Sequence, residues 1–300
     1  MPCPRCGTIN GEDSYSCRLC SEVLRKRPTE PSLASLLDPG EATHHSIPKA
    51  RPHMVGAGSG AGGIGLGKEG YAYAGVGLAL AILIHFIPIL GYFNWFLSAL
   101  FHETGHCVFA WAMGQPAFPA ISLGGHAAAV HQGQSLFLTL AICAGLGFAA
   151  WNARGHRGCL LGLTTLAILQ PLLAFSGAKE VLFLLGGHLG ELAFGAIFLW
   201  RAFTGGFTAN KLERVLYGTL ACHLIGENVL LCGGLLFSQA ARLEYAGNGS
   251  FGLTNDFLRL TNDQLGVSLG TVAFAMLVVS LLTVPLACWM GHRSLAHAGR

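Results

Sequence analysis

The chain has 300 residues, of which 52% are hydrophobic and 11% are charged, and its formal net charge is +3. The charge is too small and too scattered to indicate a nucleic-acid partner, and the mean hydropathy of +0.52 is strongly apolar. Several apolar runs are long enough to cross a lipid bilayer. The composition therefore predicts an integral membrane protein.

Four cysteines near the start of the chain form two pairs with the same internal spacing, Cys3 with Cys6 and Cys17 with Cys20. Such doubled pairs are typical of a structural zinc site, in which four thiolates surround one ion tetrahedrally. A segment this short cannot bury a sufficient core, so metal binding would supply its folding energy. Residues 1–25 are therefore predicted to form a zinc ribbon, which is also a candidate binding site for a cytosolic partner.

Residues 26–70 are predicted to be a flexible linker. The first part is broken by prolines, and the second part, "GAGSGAGGIGLGKEG", is rich in glycine. Segments of this composition do not bury enough apolar surface to offset the entropy lost on ordering. The basic residues of the ribbon and linker favour a cytoplasmic N-terminus by the positive-inside rule, in an inner or plasma membrane.

Residues 71–292 are predicted to form an all-α domain with about six to seven transmembrane helices. The seven apolar segments lie near residues 72–90, 95–114, 136–152, 159–176, 181–203, 214–238 and 268–291. Between the second and third segments, "QPAFPAISLGGHAAAVHQGQ" contains prolines, glycines and an alternating pattern, which predict a strand or hairpin at the membrane edge. His85, which is alone in the first segment, is expected to be a core histidine.

The second apolar segment contains three polar residues close together, in "FHETGH". His102 and His106 are four residues apart, so their rings lie on one face of a helix and can hold one Zn²⁺. Glu103 lies beside them and can act as a general base. Polar groups at membrane depth are costly and indicate a functional site. The pattern therefore predicts a catalytic zinc site.

The same stretch resembles the site-2 protease family of intramembrane zinc metalloproteases, whose HExGH motif is matched at residues 102–106. Residues 186–200, "GGHLGELAFGAIFLW", are similar to the glycine-containing core helix of that family. The resemblance implies a zinc metalloendopeptidase that hydrolyses peptide bonds of membrane-anchored proteins, within or beside the bilayer, by means of a zinc-activated water.

The site-2 proteases supply a third zinc ligand, an aspartate, from a later motif that does not stand intact in this sequence. The nearest match is "TNDFLRL". It makes Asp256 the predicted third ligand, and the neighbouring Asn255 is a candidate to orient it.

Two histidine–glutamate pairs inside later apolar segments provide alternatives. His188 and Glu191 are three residues apart, and His223 and Glu227 are four apart, so each pair shares a helical face. Either glutamate is chemically suitable as the third ligand. Otherwise the four residues would surround the zinc as hydrogen-bond partners of its ligands or as groups that polarise the substrate. The remaining interpretation is a structural hydrogen-bond network between two helices.

Two functional hypotheses follow. The first is a zinc endopeptidase, with one catalytic and one structural zinc ion and a membrane-anchored protein as substrate. The alternative is a non-proteolytic metal-binding membrane scaffold or transport protein. The intact Glu103 favours the enzyme, because metal binding or transport needs ligands but no general base beside them.

Overall fold

The computed structural model describes residues 68–208, 210–247 and 255–298. The predicted zinc ribbon with Cys3, Cys6, Cys17 and Cys20, and the predicted linker up to residue 67, lie outside the described residues. The elements in chain order are α1 (Lys68–His85), α2 (Pro88–Ala112), β1 (Ala117–Ser122), β2 (His126–His131), α3 (Leu136–Asn152), α4 (Arg157–Ala174), α5 (Ala178–Thr204), α6 (Lys211–Phe237), α7 (Gln239–Gly247), α8 (Asp256–Arg259), a π-helical turn (Leu260–Leu265) and α9 (Leu269–Ala298).

Each predicted apolar segment corresponds to a helix, and the long apolar helices are consistent with an all-α membrane protein. Four helices are long and apolar enough to cross a membrane, namely α4, α5, α6 and α9. Helices α1 and α2 pass the same test only as a pair, and α3 is shorter, with 17 residues. The described part of the chain therefore contains four or five candidate spans, fewer than the six to seven predicted.

A sharp bend of 113° separates α1 from α2. Pro88 is the first residue of α2 and disfavours a helical backbone at the preceding residue, and Ile87 is accordingly extended, with φ −103° and ψ 107°. Helix α1 therefore ends at His85, whose side chain is 59% exposed. The prediction that His85 is a core histidine is wrong, because the bend leaves it at the surface.

Helix α5 is the most buried of the candidate spans and packs against α2, α6 and α9. It crosses α2 where three glycines meet. A methyl group added to Gly105 would overlap the Gly186 carbonyl and Gly190. Small residues allow membrane helices to approach closely enough for van der Waals packing and interhelical hydrogen bonds. This crossing brings the motif of α2 directly against α5.

The segment predicted to be a strand or hairpin forms the antiparallel hairpin β1–β2, with Ala117 opposite His131. Gly125 in the connecting turn has φ +87°, a conformation that favours glycine, and its N–H donates to the Ser122 carbonyl at 3.2 Å. The hairpin packs against α2, where the Trp111 indole donates to the Ala117 carbonyl at 2.7 Å. The hairpin prediction is thus confirmed.

Candidate metal centre

Three side chains from two helices converge on one point. The Nε2 atoms of His102 and His106, both on α2, are 3.1 Å apart and lie 3.1 and 3.0 Å from the same Oδ2 atom of Asp256 on α8. Ligand atoms bonded tetrahedrally to one zinc ion lie about 3.3 Å from one another, given bond lengths of ~2.0–2.1 Å. The three atoms therefore have nearly the spacing that a single metal ion requires.

The second ring nitrogen of each histidine faces an acceptor. His106 Nδ1 donates to the Phe183 carbonyl at 2.6 Å, which in a neutral imidazole leaves the lone pair on Nε2. His102 Nδ1 lies 3.4 Å from Glu191 Oε2, which is longer than a normal hydrogen bond, but the nearby carboxylate favours a proton on this nitrogen and therefore a lone pair on Nε2. Metal-binding histidines typically donate their other nitrogen to a carbonyl or carboxylate in this way. With three lone pairs facing one another, the donor set fits a divalent cation such as zinc.

The pKa of the Asp256 carboxyl group is shifted downward. Burial on its own would raise this pKa, but in the metal-free protein hydrogen bonds from protonated nitrogens of the adjacent His102 and His106 rings lower it well below its usual range. A carboxylate is the form that coordinates a metal ion.

Helix α8, which carries Asp256, is fixed by the residues on either side of this aspartate. The Asn255 side-chain amide donates to the Tyr245 carbonyl, and the Phe257 N–H donates to the Tyr245 hydroxyl at 3.4 Å. The Phe257 ring is fully buried and lies against His188, with centroids 4.4 Å apart. Asn255 was expected to orient Asp256, but its amide anchors the start of α8 to α7 instead.

The Glu103 side chain lies on the wall of a cavity that also contains the three converging atoms. It is only 7% exposed, and the backbone N–H of Ala129 on β2 is within hydrogen-bonding reach. The wall is completed by His102, His106, Ala127, Ala128, Phe183, Asn255, Asp256 and Arg259. Glu103 is therefore placed to exchange a proton with a molecule bound next to the histidine nitrogens.

Gly187 on α5 makes room for the two imidazole rings. A methyl group at this position would overlap Nε2 of both His102 and His106. The glycines of α5 therefore act in two different ways. Gly186 and Gly190 allow the backbones of α2 and α5 to approach, and Gly187 leaves space for the nitrogen atoms themselves.

The pair on α5 supports the centre through hydrogen bonds. Glu191, which faces His102, accepts from Ser98 Oγ and from Asn228 Nδ2, both at 2.8 Å, and His188 Nδ1 donates to Asn228 Oδ1 at 2.9 Å. His102, His188 and Glu191 also form a group of ligand-type atoms within 4.8 Å of one another. Both oxygens of Glu191 already accept hydrogen bonds, so Asp256 is the better third ligand.

The pair on α6 does not reach this centre. His223 and Glu227 line a separate cavity, whereas Asn228, the next residue along α6, points to α5. Successive helical residues are rotated by about 100°, so a single position separates the two environments. His223 and Glu227 therefore do not surround the predicted metal centre, and that expectation is wrong.

Sequence reasoning missed three participants. Ser98 precedes His102 by four residues, a spacing that places both on one face of α2. Arg259 follows Asp256 by three residues on α8 and lines the same cavity, and its guanidinium has no hydrogen-bond or ion-pair partner among the described residues. The carbonyl of Phe183 carries no sequence signal, because every residue has a backbone carbonyl.

Comparison with known proteins gave no match, whether with models of protein families, with curated proteins or with solved structures.

Proposed function

We propose that this protein is a zinc endopeptidase of the membrane that hydrolyses peptide bonds of membrane-anchored proteins. The observation that carries the proposal is the convergence of His102, His106 and Asp256 on one point beside Glu103. Two imidazoles and a carboxylate, with a glutamate as neighbouring base, are the groups that hydrolytic zinc enzymes use. Zinc bound there would lower the pKa of a water molecule and polarise a peptide carbonyl.

Glu103 has the role of general base and then of proton donor. It accepts the proton of the attacking water and returns a proton to the nitrogen of the leaving amine. Water is thereby added across the C–N bond, and no acyl-enzyme is formed. The burial of Glu103 beside the ligand atoms supports this role, which a scaffold or transport protein would not need.

The hairpin offers a surface for an extended substrate. Within the described residues the sheet contains only β1 and β2, so the outer edge of β2 has no strand partner there. Ala127–Ala129 of β2 line the cavity, and an unpaired strand edge binds an extended peptide through backbone hydrogen bonds. Arg259, on the same cavity wall, would stabilise the negative charge that develops on the carbonyl oxygen during hydrolysis.

The proposed setting is an inner or plasma membrane, with a cytoplasmic N-terminus. The cysteine-rich segment would carry a second, structural zinc ion and bind a cytosolic partner. The Lys and Arg residues among the first 70 positions and the paired cysteines support these proposals.

The test uses the purified full-length protein in bilayer discs, with single-span peptides that carry a fluorophore and a quencher. Removal of metal by a chelator should abolish cleavage, and Zn²⁺ should restore it. His106→Ala should remain inactive after zinc is added, whereas His156→Ala, which changes an exposed histidine at the start of α4, should behave like the parent protein. Cleavage that persists without metal and in His106→Ala would contradict the proposal.

A further inference from the structure

A second polar cavity lies between α1, the first turns of α2 and α6. It is lined by His85, Gly91, Asn94, Trp95, Ser98, His223 and Glu227. The proposed hydrolysis uses neither these two histidines nor this glutamate. Ionisable side chains within apolar helices are costly unless they are paired or bind a ligand.

Two histidine nitrogens of this cavity face the same carboxylate oxygen. His223 Nδ1 lies 3.6 Å from Glu227 Oε1, and His85 Nδ1 lies 3.7 Å from the same atom. Both distances are too long for hydrogen bonds, but they are close to the separation of about 3.3 Å between ligand atoms that share one metal ion. The nitrogens are thus near Oε1 without being bonded to it.

The ring of His223 is held in the form that coordination requires. Its Nε2 donates to the backbone carbonyl of Asn94 at 3.2 Å, which in a neutral imidazole leaves the lone pair on Nδ1. This lone pair faces the Glu227 carboxylate, so two acceptors lie opposite each other. The same combination, a carbonyl partner on one ring nitrogen and a carboxylate facing the other, occurs at His106.

Asn94 gives an independent indication that the cavity has an occupant. The residue is 9% exposed, and among the described residues its Nδ2 has no hydrogen-bond partner. A buried amide donor without an acceptor is unfavourable. Because Asn94 lines the cavity, a water molecule or an ion with its hydration shell would satisfy this donor.

We propose that this cavity binds a divalent transition-metal ion such as Zn²⁺ through His85, His223 and Glu227, with water completing the coordination. Imidazole and carboxylate ligands suit ions of this class. In the structure the Nδ1 atoms of His85 and His223 are more than 4.8 Å apart, so the proposed site requires the exposed His85 side chain to turn towards His223 when the ion binds. Ser98 lines this cavity and also donates to Glu191, so one side chain joins the second site to the carboxylate that holds His102.

The experiment counts zinc ions in the full-length protein after depletion with a chelator and equilibration with Zn²⁺. His223→Ala and Glu227→Gln should each bind one zinc ion fewer per chain than the parent protein. His106→Ala should lose a different ion, so the double variant His106→Ala/His223→Ala should lose two. His156→Ala serves as the matched control and should lose none. Unchanged zinc content in both His223→Ala and Glu227→Gln would overturn the proposal.

Two further measurements keep the test decisive if a replacement in the helix interior prevents folding. His85 is at the surface, so His85→Ala should fold normally and bind this zinc about tenfold or more weakly. Trp95 lines the cavity, and Co²⁺ should quench the part of the fluorescence that is lost in Trp95→Phe. Normal zinc affinity in His85→Ala, or unchanged quenching of Trp95 in His223→Ala, would contradict the proposed site.

Discussion

The two histidine–glutamate pairs on α5 and α6 are alike in sequence but differ in their surroundings. His188 Nδ1 lies 3.4 Å from Glu191 Oε2, and His223 Nδ1 lies 3.6 Å from Glu227 Oε1. The Glu191 side chain is only 7% exposed and accepts hydrogen bonds from α2 and α6, whereas the Glu227 side chain is 40% exposed. Only the α5 pair is connected to the converging ligand atoms.

This difference arises from the helices that each pair faces. Helix α5 meets α2 through Gly105 and its glycine partners, so Glu191 lies next to His102. Helix α6 meets α1 through Gly77 and Gly218, where a methyl group on Gly77 would overlap the backbone. A spacing of three or four residues shows that two side chains share a face, but the glycine contacts decide which helix that face meets.

The largest effect is expected from closing the space at the α2–α5 crossing. In Gly187→Ala the added methyl group would displace the rings of His102 and His106, and misplacement of about 1 Å can reduce a catalysed rate ~10²-fold. Cleavage should fall by at least this factor, and the zinc of this centre should be lost. Gly162→Ala on α4, where a methyl group meets open space, is the control. Normal zinc binding by Gly187→Ala would show that the nitrogens lie elsewhere.

A smaller loss is expected when the acceptor behind His102 is changed. Glu191→Gln removes the negative charge opposite His102 Nδ1, and such partners of metal ligands contribute about 10–100-fold to metal affinity or activity. Zinc titration of the purified variant measures the effect. Glu180→Gln, earlier on the same helix, is the control and should match the parent protein. If both variants bind zinc equally well, Glu191 does not orient His102.

Replacement of Asn228 tests the hydrogen-bond network behind the α5 pair. This side chain is 1% exposed and contacts both His188 and Glu191. Asn228→Ala leaves buried polar groups without partners, which costs about 1–3 kcal/mol, and thermal unfolding should reveal this loss. Asn152→Ala, an exposed asparagine bonded to its own helix, should unfold at the parent temperature. Equal unfolding temperatures would mean that the network is dispensable.

The smallest effect is expected at Ser98, which donates to Glu191 at 2.8 Å. Ser98→Ala removes one hydrogen bond and should lower the free energy of unfolding by about 0.5–1.5 kcal/mol, as measured by thermal unfolding. The second hydrogen bond to Glu191, from Asn228, remains. Ser280→Ala is the control, because among the described residues that hydroxyl bonds only the Met276 carbonyl of its own helix. If Ser98→Ala weakened zinc binding more than Glu191→Gln does, Ser98 and not Glu191 would be the more important support of His102.

The helices and the hairpin were predictable because their signals are local. Apolar runs gave seven helices, and the alternating segment gave β1 and β2. Local signals also placed His102 beside His106. The bend was missed because Pro88 lies inside a run that is apolar on both sides, and apolarity alone does not distinguish a straight span from a broken one.

The rest of the centre depends on contacts between distant parts of the chain. Asp256 lies 150 residues beyond His106, and only the resemblance to the site-2 proteases pointed to it. The separation of the α5 and α6 pairs depends on helix crossings that no spacing along one helix reveals. Arg259 and Ser98 became visible only when their positions relative to the cavities were known.

The central claim is that Glu103 performs proton transfer beside a metal ion held by His102, His106 and Asp256. Glu103→Gln keeps the shape of the side chain but removes its ability to accept a proton. General-base catalysis contributes about 10²–10⁴-fold to a rate. Cleavage of a single-span membrane peptide should therefore fall by this factor in Glu103→Gln, while its zinc content stays equal to that of the parent protein. Undiminished cleavage by Glu103→Gln would contradict the account.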